Sequence, residues 1–177
     1  MNQLLTLSLL LAAAHAGKID HVSFKSIIEK VNSLNTTWKA DPNFPSVVTI
    51  SSIKSLLGAR KSTHRLPLKQ DNDISATPIP EEFDARQQWP ECPTISQIAD
   101  QSNCGSCWAV ATATTFSDRL CIASKGKFTL SLSWEELLSC CTECGDGCRG
   151  GYIKEAWIYL RHHGIVTGGP YDTDIGC

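Results

Sequence analysis

Two cysteines three residues apart stand beside a tryptophan in the stretch QSNCGSCW, residues 101–108. Cys107 falls at the predicted start of a helix, where free backbone N–H groups and the helix dipole favour a thiolate, which is a nucleophile. Gln101 precedes that helix, and its side-chain amide is expected to turn back towards Cys107. With the Cys107 backbone N–H, it would give two donors to an oxyanion. Trp108 is expected to wall the site and exclude water.

Other chemistries fit the same spacing. Cys104 and Cys107 could form a redox disulfide at a helix start, although no βαβ pattern surrounds them. Cys104, Cys107 and two cysteines from residues 140–148 could bind zinc. A purely structural, disulfide-rich domain is the third alternative. The spacing alone leaves all of these open.

Three helices are predicted to position these residues. The first covers residues 106–124. Its predicted buried stripe comprises Val110, Ala113, Phe116 and Leu120. The second begins at Ser133, which forms a predicted capping box with Glu136. The third covers residues 152–163 and stops at Gly164.

The chain changes character near residue 79. All nine cysteines lie in the second part, and residues 140–151 contain so much Cys and Gly that an irregular, bridged loop is expected. Residues 17–78 carry a net charge of +4 and residues 79–177 one of −6. We therefore expect a basic segment, a linker rich in structure breakers and an acidic domain, with the basic segment docked on the acidic one.

The basic segment should be helical in two places. One helix has an apolar face made of Phe24, Ile27, Ile28, Val31 and Leu34. A second is predicted over residues 50–58 and would end at Gly58. Asn35 begins the sequence Asn-Thr-Thr, which makes it a glycosylation candidate.

Residues 1–16 are interpreted as a signal peptide. Residues 4–14 are apolar but too short to span a bilayer, and small residues at Ala14 and Ala16 predict cleavage after Ala16. No later run predicts a membrane anchor. The net charge of −2 does not indicate a nucleic-acid partner. Export predicts disulfides, and nine is an odd number of cysteines.

The stretch CGSCW, residues 104–108, is similar to the signature of papain-family cysteine proteases. The resemblance runs from about residue 22 to 177 and is closest to the cathepsin B-like subgroup. It is carried by residues 35–44, 81–95, 100–109, 117–122, 137–141, 144–152 and 155–157. It implies an α+β papain-like fold. This chain would hold the propeptide (residues 17–78) and mainly the helical, left lobe (residues 79–177), with the β-rich lobe missing.

The resemblance also implies roles. Cys107 would be the nucleophile and Gln101 the oxyanion-hole side chain. Substrate backbone would lie along Gly150 and Gly151, and Tyr152 would border a side-chain pocket. The implied disulfides are Cys92–Cys121, Cys104–Cys148 and Cys141–Cys144, which leaves Cys140 and Cys177 unpaired here. The partners would be a peptide substrate and the chain's own propeptide as inhibitor, with no cofactor and no metal.

The chain departs from the family pattern at the loop before Cys107, where Ser102 and Asn103 replace a usual Gly-Ser pair. The loop between Cys141 and Cys144 is one residue shorter than expected. In this family the catalytic His and Asn lie about 130–150 residues past the nucleophile. Only 70 residues follow Cys107, so both are expected to be missing and the chain to be inactive alone.

The sequence therefore predicts the precursor of an exported, lysosomal, endosomal or extracellular cysteine endopeptidase. The alternative is a truncated, non-catalytic binding or decoy protein, or a pseudogene product. No catalytic role is assigned to His162 or His163, which end the third predicted helix.

Overall fold

A computed structural model describes residues 24–42, 48–62, 78 and 80–170. The predicted signal peptide, most of the linker and Cys177 lie outside the described residues. The chain divides into two compact units, Met1–Lys54 and Ser55–Cys177. Each unit is described by itself.

The first unit contains helix α1, Phe24–Ser33, and most of helix α2, Ile50–Ser55. After α1 the chain folds back. Asn32 holds it there, because its side chain accepts from Ala40 N at 2.8 Å and donates to Ala40 O at 3.0 Å. Asn35 is exposed and has a left-handed backbone with φ of 49°. Helix α2 ends at Ser55, three residues before the predicted end at Gly58.

The second unit is helical. It contains α3 (Ala85–Gln88), α4 (Cys107–Ser124), α5 (Trp134–Cys140) and α6 (Ile153–His163), with short 3₁₀ turns at Pro93–Ser96 and Gly147–Arg149. Isolated bridges, but no strand, occur in the part of the chain that is described. This is the helical half of the predicted α+β fold. Within the described ranges, no helix is long and apolar enough to cross a membrane.

Helix α4 is the centre of this unit and packs against α5 and α6. The buried core comprises Trp108, Ala109, Ala113, Leu137, Cys141, Cys144, Ala156 and Leu160. At its edge Phe116 meets Trp157 edge-on, with ring centroids 5.9 Å apart. Such aromatic pairs stabilise a core beyond their area alone. The predicted helix bounds differ from the observed ones by no more than one residue for α4 and α6.

The buried surface of α4 is wider than the predicted stripe. Val110 and Ala113 are buried as predicted, whereas Phe116 and Leu120 are half-buried. Thr112 and Ser117 are buried although they are polar. Their hydroxyls donate to carbonyls one turn earlier, at 2.7 and 2.8 Å, and this removes most of the cost of burial. A purely apolar stripe cannot reveal this second buried face.

The predicted capping box at the start of α5 is half formed. Ser133 Oγ accepts from Glu136 N at 3.1 Å, as expected. The Glu136 carboxylate, however, accepts from Val166 N at 2.6 Å instead of from Ser133 N. Ser133 N donates to Val166 O at 2.9 Å. The cap thus ties α5 to the loop after α6, a long-range contact that a local motif does not predict.

Three disulfides hold the second unit: Cys92–Cys121, Cys104–Cys148 and Cys141–Cys144. These are the pairs that the family resemblance implied. Because Cys104 is bonded to Cys148, it forms no redox pair with Cys107, and it is not free to bind zinc. Cys107 and Cys140 are free thiols in the structure.

Replacing the Ser133 cap should destabilise the chain. Ser133→Ala removes the acceptor of Glu136 N, and such caps contribute about 1 kcal/mol. Urea unfolding should therefore show a loss of about 1 kcal/mol in the free energy of unfolding. Ser139→Ala is the control, since Ser139 is exposed and bonds only Glu135 within the same helix. Equal losses in both variants would contradict the capping role.

Candidate active site

The candidate site lies where two loops are fastened together. One is the loop before α4, residues 101–106, and the other is the Gly- and Cys-rich loop of residues 140–151. The Cys104–Cys148 disulfide joins them with the Cα atoms 4.6 Å apart, and Gly105 N donates to Cys148 O at 2.9 Å. This junction brings the start of α4 beside the predicted substrate-binding glycines.

Cys107 is the first residue of α4, as predicted, and its thiol is free and half-buried. Ser106 precedes it and gives the helix no side-chain cap. The first turn of α4 begins at Cys107, where an α-helix presents backbone N–H groups that have no partner within the helix. Across the described residues, no histidine is hydrogen bonded to Cys107.

The side-chain amide of Gln101 donates hydrogen bonds to two backbone carbonyls. Its Nε2 bonds Cys104 O at 2.8 Å and Leu56 O at 3.0 Å. Leu56 belongs to residues 55–62, the segment that starts at the last residue of α2, which we call the tail. A side-chain N–H that binds a carbonyl oxygen is what an oxyanion hole requires. The oxyanion role itself stays a prediction.

The loop before Cys107 accommodates its unusual Ser102. Ser102 has a left-handed backbone with φ of 50°, a conformation that favours glycine. Its N–H donates to Asp100 Oδ1 at 2.7 Å. This side-chain turn holds the strained residue in place next to Gln101.

The tail pairs with Gly151 as a short parallel bridge. Gly151 N donates to Gly58 O and Arg60 N donates to Gly151 O, both at 2.8 Å. Ala59 therefore lies opposite Gly151. A Cβ on Gly58 would come within 1.8 Å of Gly105 O, so only glycine fits there. Sequence reasoning treated Gly58 as a helix end and missed its hydrogen bond with Gly151, which lies 93 positions later in the chain.

The glycine pair rests on Trp108. A Cβ on Gly151 would lie 2.6 Å from the Trp108 ring. The ring is fully buried, and its Nε1 donates to Gly147 O at 3.2 Å. Gly150 is also buried and has φ of 105°, outside the range of other residues. Trp108 has no exposed surface at the cleft. It affects the cleft by fixing the position of Gly151.

Tyr152 borders the far end of the tail. The Arg60 guanidinium lies 6.0 Å from the Tyr152 ring centroid, and its Nη2 donates to Arg149 O at 3.0 Å. The Arg149 side chain points elsewhere, into an ion pair with Asp146 at 2.8 Å. The hydrogen bond that Arg149 donates to the Asp146 carboxylate raises the pKa of Arg149.

The remaining candidates make no recorded contact with Cys107 or Gln101 in the part of the chain that is described. His162 and His163 end α6, and His163 stacks on Tyr159 with ring centroids 4.7 Å apart. Burial, together with the charges of Glu136 and Cys140, raises the pKa of Tyr159. Cys140 is exposed at the end of α5. The structure assigns no catalytic contact to these groups.

Comparisons with known proteins agree with this geometry. Residues 79–175 match the family described as papain family cysteine protease, and residues 24–63 match the peptidase family C1 propeptide. The chain is 46% identical over 158 residues to cathepsin B-like cysteine proteinase 4 of Caenorhabditis elegans, covering 86% of this chain and 46% of that one. It is 43% identical to a cathepsin B-like cysteine proteinase of Schistosoma japonicum, covering 79% and 42%.

A solved structure gives the same result. Procathepsin B S9 from Trypanosoma congolense is 40% identical and has a TM-score of 0.68, covering 81% of this chain and 50% of that one. The fold and the junction at Cys107 define a papain-like cysteine peptidase with its propeptide. The chain belongs to the papain family of cysteine proteases, and its relatives are cathepsin B-like. It spans about half the length of the curated relatives it matches.

A methyl group on Gly151 should destabilise the second unit. Gly151→Ala forces the Trp108 ring to move, and overpacking of this kind costs about 1–3 kcal/mol. Gly147→Ala is the control, because an added Cβ there meets no atom closer than 4.0 Å, although the positive φ of Gly147 gives that variant a backbone cost that Gly151→Ala lacks. If urea unfolding shows that Gly151→Ala loses no more free energy of unfolding than Gly147→Ala, the close packing of Gly151 on Trp108 is contradicted.

Displacing the tail should expose Cys107. Gly58→Ala places a methyl group against Gly105 O and should shift the tail off Gly151. In a background with Cys140→Ser and Cys177→Ser, alkylation of Cys107 by iodoacetamide should accelerate about tenfold. Ala59→Ser is the control, since Ala59 is exposed. An unchanged rate in Gly58→Ala would show that the tail does not shield Cys107.

Proposed function

We propose that the chain is the precursor of a cathepsin B-like cysteine endopeptidase. In the complete enzyme, Cys107 Sγ attacks the carbonyl carbon of a peptide bond. An imidazole takes the thiol proton during the attack and returns it to the departing amine, and water then hydrolyses the thioester to free the acid and regenerate the thiol. The Gln101 amide and the Cys107 backbone N–H hold the oxyanion between these steps.

One observation carries this proposal: a peptide backbone already lies along the site. Gln101 Nε2 binds the carbonyl of Leu56, and Gly151 exchanges hydrogen bonds with the tail on both its N–H and its C=O. These are main-chain contacts, which any peptide can make regardless of side chain. The site is thus built to receive peptide backbone beside a thiol at a helix start.

The tail contacts also support inhibition by the propeptide. Residues 55–62 use the Gln101 donor and the Gly151 edge that a substrate would need, so bound tail and bound substrate exclude each other. The tail runs parallel to Gly151. A substrate that paired with Gly151 in the antiparallel sense would run the other way. A reversed backbone presents its carbonyl groups in a different geometry to Cys107, which would protect the tail from cleavage.

The base that this chemistry needs is expected outside residues 1–177, as the family spacing predicts. No cofactor is required by the proposed steps. The predicted signal peptide would direct the precursor into the secretory pathway, and then to lysosomes, endosomes or the extracellular space. The same route would oxidise the three disulfides. The cathepsin B-like relatives favour a peptidase precursor over a decoy protein.

An epoxide-type active-site probe for papain proteases tests the proposal. A catalytic thiol opens the epoxide and forms a thioether, whereas an isolated thiol reacts far more slowly. The 177-residue chain should react with iodoacetamide at Cys107 but not with the probe. The product of any reading frame that continues past Cys177, once acidified to free its propeptide, should react with the probe at Cys107.

The matched control is Cys107→Ser in both proteins, with Cys140→Ser to show that the exposed thiol is not the labelled one. Hydrolysis of a fluorogenic peptide by the longer product should disappear with Cys107→Ser. If the longer product reacts with iodoacetamide but neither binds the probe nor cleaves peptides, or if the frame stops at Cys177, the proposal fails.

A further inference from the structure

A groove of about 600 Å³ lies along α6, beside the tail. Apart from Ser62, the residues that line it are either apolar or positively charged. They are Arg60, Ile153, Lys154, Trp157, Ile158 and Arg161. We call this feature the α6 groove. It contains neither Cys107 nor Gln101, so it is a second surface beside the candidate active site.

The floor of the α6 groove is apolar. Ile153, Trp157 and Ile158 are four and five positions apart on α6, which places them on one face of the helix. Ile153 and Ile158 are each 41% exposed, so this face is not covered by the rest of the unit. A volume of this size is typical of sites for small ligands. Covering the exposed apolar surface with an aliphatic chain would lower the free energy.

The rim of the α6 groove is positive although residues 79–177 are acidic overall. Arg60, Lys154 and Arg161 all line it, and among the described residues no acidic side chain does. Lys154 has an acidic neighbour in Glu155, but the two head groups are 3.9 Å apart, at the outer limit of an ion pair. Charge complementarity therefore favours an anionic ligand, and the floor favours one with an aliphatic chain.

We propose that the α6 groove binds a free aliphatic carboxylate of the fatty-acid class, and that this ligand holds the tail on the cleft. The inference deepens the proposed function by adding regulation, and it rests on that function. Guanidinium groups such as those of Arg60 and Arg161 bind carboxylates through paired, charge-assisted hydrogen bonds. A guanidinium has five N–H donors, so one such group can bind a backbone carbonyl and a carboxylate at the same time.

The link to the tail follows from the origin of the lining residues. Arg60 and Ser62 belong to the tail, whereas the other lining residues belong to the peptidase part of the chain. The α6 groove is complete only while the tail is in place, with Arg60 N bonded to Gly151 O at 2.8 Å. A ligand shifts a population towards the state that it binds more tightly. The bound carboxylate would thus reduce the fraction of chains in which the tail has left Cys107.

Alkylation of Cys107 tests this inference in the 177-residue chain with Cys140→Ser and Cys177→Ser. The probe is sodium decanoate, below the concentration at which it forms micelles. At about ten times its Kd, decanoate should slow the reaction with iodoacetamide about tenfold, because a ligand specific for the closed state reduces the open fraction by that factor. Decyltrimethylammonium, which has the same chain length and the opposite charge, should leave the rate unchanged.

Substitutions in the α6 groove should weaken the probe without altering the reaction in its absence. Arg161→Gln should raise the Kd of decanoate, obtained from the alkylation rates, about fivefold. Ile158→Ser should raise it by about the same factor through the loss of apolar contact. Lys127→Gln is the matched control, since it removes one positive charge from an exposed residue outside the groove and should leave the Kd unchanged.

Three results would overturn the inference. The first is the absence of protection by decanoate, whatever else fills the groove. The second is equal protection by decanoate and decyltrimethylammonium, or a Kd that Arg161→Gln raises no more than Lys127→Gln does. The third is protection by anionic phospholipid vesicles but not by decanoate, which would assign the surface to a membrane instead of a free ligand.

These outcomes are separate from the test of proteolysis. A chain that decanoate protects, but whose longer product never reacts with the epoxide probe, keeps the ligand site and loses the peptidase. A longer product that cleaves peptides, while decanoate has no effect on the 177-residue chain, keeps the peptidase and loses the ligand site.

Discussion

The junction between Cys104 and Cys148 is the constraint on which the candidate site depends. It closes a loop over a sequence separation of 44 residues, and cross-links of that length contribute about 4 kcal/mol by restricting the unfolded chain. Its local effect matters more for function. The disulfide and the bond from Gly105 N to Cys148 O hold the Gln101 loop against the glycine loop, so neither edge of the cleft can move away from the other.

Close packing then converts this junction into a peptide-binding edge. Trp108 follows Cys107 in the helix and lies directly beneath Gly151, which leaves no room for a side chain at that glycine. Cys107 and the edge that pairs with the tail are therefore positioned by neighbouring residues of one helix turn. The tail fits because Gly58 lacks a side chain where it passes Gly105. Both the tail and the peptidase part of the chain thus have a glycine at this contact, because in each case a side chain would collide with a neighbouring residue.

The tail contacts the cleft through a side chain as well as through its backbone. Gly58 and Ala59 make main-chain contacts that any peptide can reproduce, whereas Arg60 adds a side-chain contact at Tyr152. The first kind of contact does not depend on side chains, whereas the second depends on the Arg60 guanidinium.

The sequence by itself determined the helices around Cys107, the free thiol at a helix start and the cysteine pairs that the family resemblance implied. The helices depend on local signals, namely capping residues and helix periodicity, whereas the cysteine pairs and the free thiol were implied by the resemblance to the papain family and not by a local pattern. Only the tertiary structure decided that Glu136 bonds Val166 rather than Ser133, that Trp108 is buried beneath Gly151, and that residues after Ser55 leave the helix to pair with Gly151. In each case the partner lies 30 or more residues away along the chain. Contacts at such separations depend on packing geometry, which no local pattern records.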